Sequence, residues 1–199
     1  MGLLYQKSIR CSVSRLGDGI CVSESVLLAS DAEMTARIEF AEENFRICRA
    51  EWESLRTGTL YQQGQNSVDG LIGTEAYFGV GRVLTKVFPL PEQTGVRALF
   101  AECVKGAIQA ESYLFKKRGF ADFVAYQANW DRTHPNTCCY YSNLDKVERR
   151  WHEYIGDAVR EKDFFSRHKN IAVWQKENGE LQAVGSFLDS FHELGITVE

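Results

Sequence analysis

Apolar residues recur every second position near both ends of the chain and at helical spacing in between. Tyr5 to Val13 reads as a strand, and Leu16-Gly17-Asp18-Gly19 follows it as a hairpin turn. Ile20 to Leu28 is the return strand. Met34 to Phe40 and Phe45 to Trp52 form a second pair around Glu42-Glu43-Asn44. Met34, Ala36, Ile38 and Phe40 alternate with polar neighbours, as do Phe45 and Ile47, which predicts one buried face and one wet face. Residues 56–70 are polar, with Gly58, Gly64 and Gly70, and read as a loop.

The middle of the chain changes period. Leu71-Ile72 and Val83 to Phe88 are short apolar helical runs, ended by Pro89 and Pro91. Thr94 is placed to cap a longer helix. Its apolar face is Val96, Leu99, Phe100, Cys103, Val104, Ala107 and Ile108, at spacings of three and four. Lys116-Lys117-Arg118 and then Gly119 stop that helix, with cations at the negative end of its dipole and a residue tolerant of positive φ. Phe123, Tyr126 and Trp130 share one side of a further helix. Asp131 to Cys139 reads as a loop, and Ser142 or Asn143 as the cap of a helix bearing Val147, Trp151, Tyr154 and Ile155.

The N-terminal pattern returns 160 residues later without a gap. Val13 falls on Val173, Gly19 on Gly179, Leu28 on Leu188, Ser30 on Ser190, Glu33 on Glu193 and Glu39 on Glu199. The turns Asp18-Gly19 and Asn178-Gly179 coincide. This pattern predicts an internal duplication. The expected fold is α+β in one domain, 1–199. It comprises an N-terminal β-meander (3–55), a helical middle (69–160) and a C-terminal β-hairpin repeat (165–199) packed with the helices. Strands from both ends would share one sheet system, as a curved sheet or a barrel-like sandwich.

Composition narrows the function classes. Apolar residues make up 44% of the chain and charged residues 25%, so a folded core is expected rather than disorder. A net charge of −4 disfavours a nucleic-acid partner, and the basic cluster at 116–118 already has a helix-stop role. No run is long and apolar enough to span a bilayer, and residues 1–30 lack the plan of an export signal. A cytoplasmic location with reduced cysteines is the expectation. Cys11, Cys21 and Cys48 lie in strand-like runs, where cysteine acts as a small hydrophobe.

The run Val26-Leu27-Leu28-Ala29-Ser30-Asp31-Ala32-Glu33-Met34, the strand pair through Cys48 and the helix opened by Thr94-Gly95 resemble a bacterial family known as domain of unknown function 2889. The resemblance covers most of the chain. It implies a bacterial cytoplasmic protein with a β-meander followed by helices and no established activity. Many members carry Gly-Cys-Thr-His-Leu at the start of that helix, where this chain has Gly95-Val96-Arg97-Ala98-Leu99. Chemistry built on that Cys and His is lost here, so the resemblance brings no catalytic residue.

Two clusters carry candidate chemistry. His134, Cys138 and Cys139 form the densest reactive run, with ligand types suited to zinc or another divalent metal but without finger or ribbon spacing. A Cys–His nucleophile pair in that run, with His152 or His168 as other bases, is the thiol alternative. Glu33, His192 and Glu193 form the second cluster. If the two copies packed about a pseudo-twofold, the two glutamates would face each other and share a proton or a cation. His192 has no counterpart, because Ala32 holds that place in the first copy. Gly79 and Gly81 read as bend glycines rather than a phosphate loop.

Three readings follow. The first is a small-molecule-binding accessory protein of bacterial metabolism that forms homo-oligomers. The second is a metal- or acid/base-dependent enzyme acting on a small molecule. The third is an oligomeric assembly subunit with an exposed strand edge.

Overall fold

A computed structural model describes residues 1–17, 19–57, 64–137, 140–146, 148–155 and 160–198, leaving out the side chains at 152 and 154. Eight antiparallel strands form one sheet in the order β5-β4-β3-β2-β1-β6-β7-β8. The first five are β1 (Gly2–Gly17), β2 (Ile20–Ala29), β3 (Glu33–Ala41), β4 (Ile47–Arg56) and β5 (Gly64–Ser67). After the helices come β6 (Asp163–Gln175), β7 (Leu181–Asp189) and β8 (Glu193–Val198). The helices are α1 (Val80–Val87), α2 (Thr94–Leu114), α3 (Phe123–Thr133) and the short α4 (Trp151–Ile155). The architecture is thus α+β, with strands from both chain ends in one open sheet.

Strand β5 was not foreseen in the polar run 56–70. It pairs with β4 from Glu51–Ser67 to Ser54–Gly64 through its backbone and needs no apolar pattern, as suits a short polar strand on a sheet edge. Thr94 is the first helical residue rather than a cap. Its hydroxyl donates to the Pro91 carbonyl at 2.7 Å.

The two three-stranded units have matching registers. Lys7 pairs with Ala29 and Leu27 with Met34, while Arg167 pairs with Asp189 and Phe187 with Leu194. Their turns match as well. The Ser30 amide donates to Gln6 O at 2.9 Å, and the Ser190 amide to Ser166 O at 3.0 Å. The Ser30 and Ser190 hydroxyls accept from the Gln6 and Ser166 amides at 2.9 and 3.0 Å. Gly19 and Gly179 both have positive φ, +76° and +87°, as a tight hairpin turn requires. Where β1 meets β6, Ile9 pairs with Lys169, its own counterpart, so a pseudo-twofold axis runs through that pair.

Helix α2 covers only one side of this symmetry. Its face of Val96, Leu99, Phe100, Cys103 and Ala107 packs on Leu27, Met34, Ala36, Ile38 and Phe40, all buried. Each large side chain buried there contributes about 1.5–3 kcal/mol. Contact is closest at Gly106, where a Cβ would come within 2.7 Å of Cys11 Sγ and 2.9 Å of Val13 Cγ2. Polar atoms in this layer are satisfied locally. Ser23 Oγ donates to Cys103 O at 2.8 Å, and the Cys103 thiol to Ala36 O at 3.3 Å. Burial raises the pKa of Cys11 and Cys103 and pushes Cys21 up to about 12, so these thiols are packing groups rather than nucleophiles. Cys48 is instead exposed, its thiol donating to Glu39 O at 3.3 Å. Among the described residues, no helix is long and apolar enough to cross a membrane.

Candidate functional site

Beyond the sheet, the C-terminal half of α2 meets α3, α4 and the β7–β8 turn around a pocket of about 180 Å³. Tyr126, Trp130, Tyr140, Tyr141, Trp151 and His192 form most of its wall, with Ile108, Gln109, Ser112 and Gln127 completing it. Helix α3 supplies its ring side chains from one face because they lie three and four residues apart. Asp122 starts that helix by accepting the Ala125 amide at 2.7 Å. Phe191 fastens the pocket to the sheet: its ring lies 4.8 Å from Trp151 and 5.8 Å from Phe165.

A buried carboxylate braces this region. Glu111 Oε2 accepts from Tyr77 OH at 2.8 Å, Tyr126 OH at 3.2 Å and Trp130 Nε1 at 3.3 Å, while Oε1 accepts Arg118 Nε at 2.9 Å. Burial, then the Glu111 charge, raises the pKa of Tyr77 and Tyr126, so both phenols remain donors. Arg118 lies over the Phe45 and Tyr77 rings and also pairs with Glu75 at 3.1 Å. The expected stop of α2 falls one turn past its last helical residue, with Gly119 at φ +90°, and Arg118 turns inward rather than to solvent.

At the rim, Asp189 holds His192. Its Oδ1 accepts the Phe191 amide at 2.9 Å, the His192 amide at 2.8 Å and His192 Nδ1 at 3.0 Å. Oδ2 accepts Arg167 Nη2 at 2.9 Å. Burial works to raise the Asp189 pKa, but the Phe191 amide, Arg167 and His192 together outweigh it and hold the pKa below the ordinary value. An ionised Asp189 only accepts, so Nδ1 carries the proton and Nε2 of a neutral His192 is an acceptor. This arrangement can receive a hydrogen bond or a proton from a bound molecule. It matches the base-and-orienter half of a nucleophilic triad. Among the described residues no hydroxyl or thiol hydrogen-bonds Nε2.

The structure sorts the sequence candidates. Of Glu33, His192 and Glu193, only His192 lies at the pocket. Glu33 opens β3 opposite Arg56, and Glu193 opens β8 opposite Leu188. The pseudo-twofold puts them on strands five steps apart, roughly 24 Å at ordinary strand spacing, so they do not face each other. His134 stacks on Trp130 at 4.0 Å between centroids, with Thr133 Oγ1 2.7 Å from its Nδ1. Cys138 and Cys139 lie outside the described residues. Among those described, no three His, Cys, Asp or Glu side chains converge as a metal site. His168 reaches Ser8 Oγ at 2.8 Å across β1–β6, away from the pocket. Sequence reasoning took Tyr126 and Trp130 for ordinary core and passed over Glu111. The one signal for Glu111 was an acid placed among Ala107, Ala110 and Leu114 on the buried stripe of α2.

Compared with protein-family profiles, curated proteins and solved structures, the chain matches none.

Proposed function

We propose that the protein binds a small planar molecule, one ring in size, bearing an N–H or O–H donor. The carrying observation is the aromatic pocket with Asp189-oriented His192 at its rim. A cavity of roughly 150 Å³ accommodates benzene, so about 180 Å³ suits a single ring. Indole and phenol faces favour a flat ligand, and the His192 Nε2 acceptor selects one that donates. The role is an accessory, non-catalytic one in bacterial metabolism. The family resemblance contributes the bacterial setting and no residue of the site. A duplicated ancestral three-stranded unit accounts for the paired registers and turns, with His192 and Asp189 acquired in one copy only, where the other has Ala32 and Ala29. The enzyme reading has the Asp189–His192 pair in its favour, as a base awaiting a substrate proton.

The test uses phenol and its near-isostere toluene, read by quenching of tryptophan fluorescence. Phenol should saturate the signal and toluene should bind several-fold more weakly. Trp130→Ala should abolish the response, and His192→Ala should remove the preference for phenol. Equal responses from wild type and Trp130→Ala would defeat the proposal. Release of product from an activated phenyl ester, lost in His192→Ala, would favour the enzyme reading.

A further inference from the structure

The two halves of the sheet differ in what covers them. On β6, β7 and β8, the side chains facing the α2 side include Ile171, Ala183, Phe187, Leu194, Ile196 and Val198. Their counterparts 160 residues earlier are Cys11, Ser23, Leu27, Met34, Ala36 and Ile38, all no more than 3% exposed beneath α2. Ile171 is 40% exposed, and Leu194, Ile196 and Val198 are 59–63% exposed. Among the described residues, no helix or strand covers them.

We propose that this bare face docks a second copy of the chain, half-sheet on half-sheet about a twofold axis. Three observations favour a like partner. The patch is uncharged: Lys169 at its margin is paired with Glu102 of α2 at 2.7 Å, and Glu193 alternates to the opposite face. It also carries a bump beside a dent. Ile196 pairs across strands with Gly185, and the hollow at Gly185 is walled by Ile171, Phe187 and Leu194. A twofold rotation places each Ile196 over the other copy's hollow, as an isologous interface requires. Nothing within the chain demands glycine at 185. Its φ is not positive, and an added Cβ would meet only Asn170 O, at an ordinary 3.5 Å. The hollow therefore serves something outside the chain. Area agrees: the exposed apolar side chains offer on the order of 500 Å² per copy, so a pair buries about 1,000 Å², the threshold of a specific interface. The partner's half-sheet occupies, over β6–β8, the layer that α2 occupies over β1–β3, because sheets and helices both stack near 10 Å.

The experiment is sedimentation equilibrium of the full chain across micromolar concentrations, with two variants and circular dichroism of each. Wild type should be a dimer. Ile196→Glu should weaken it by on the order of a hundredfold or more, through burial of an unpaired charge. Gly185→Val should do likewise while keeping or raising thermal stability, since a β-branched residue suits a strand. The Gly185→Val outcome keeps the proposal testable if Ile196→Glu misfolds. A wild type that stays monomeric to about 100 µM overturns the proposal, as does a dimer untouched by both variants. A monomer that floats with phosphatidylcholine vesicles assigns the face to lipid and overturns it as well.

Discussion

The first and last three strands of this protein have the same registers and the same serine-bonded turns, yet one unit is core and the other is surface. Met34 and Leu194 hold equivalent places, one fully buried and the other 59% exposed. Strand pairing and turn chemistry are local choices, repeated wherever the pattern repeats. Burial depends on which layer lies above, and α2 lies above β1–β3. The equivalent turns diverge in the same way. The first carries Ala29 and Ala32, while the second carries Asp189 and His192 and borders the aromatic pocket.

The largest expected effect comes from removing one unit. A fragment of residues 1–160 loses β6, which pairs with β1 from Gly2 to Ser14, and leaves that strand edge open. We expect the fragment to be insoluble or unfolded, because a domain's whole margin is only about 5–15 kcal/mol. Solubility and far-UV circular dichroism measure this, and a folded, monomeric fragment would mean that the first unit stands without the second.

A finer comparison uses the matched pair. Met34→Ala should cost about 2–5 kcal/mol, for lost burial and the cavity left under α2. Leu194→Ala should fall within about 0.5 kcal/mol in protein dilute enough to be monomeric. Urea unfolding midpoints decide it, and similar losses from both substitutions would show that β8 is covered.

The smallest effect is pH-dependent and belongs to the second unit. Asp189 has a folded pKa below its ordinary 3.8. The stability it contributes is therefore complete above the unfolded value near 3.8 and is lost as pH falls through the lower folded value. Asp189→Asn should lower the melting temperature at neutral pH and flatten its decline on acidification. An acid limb as steep in the variant as in wild type would place the loss in other carboxylates. Glu102, held low by Lys105 and Lys169 against its burial, is the first to examine.

The candidate site was half legible. His192 stood out because it broke the repeat, and that asymmetry led to the pocket. Glu33 and Glu193 misled because they kept the repeat: symmetry about Ile9–Lys169 sends matching residues of the outer strands apart rather than together. Trp130 and Tyr126 sit at spacings that any buried helix face shows, so their periodicity does not separate a pocket wall from a core. Glu111 reads as a defect in an apolar stripe until Arg118, Tyr77 and Tyr126 are seen around it.

By itself the sequence determined the alternating strands, the hairpin turns at Gly19 and Gly179, the long amphipathic α2 and the 160-residue echo between the chain ends. Periodicity and φ preference act within a few residues and need no partner. Tertiary structure alone decided that β6 lies beside β1, that α2 covers one half of the sheet and leaves the other bare, and that side chains from Ile108 to His192 enclose a pocket. Those outcomes depend on which distant surfaces exclude water from each other, and an apolar face carries no mark of the one that will cover it.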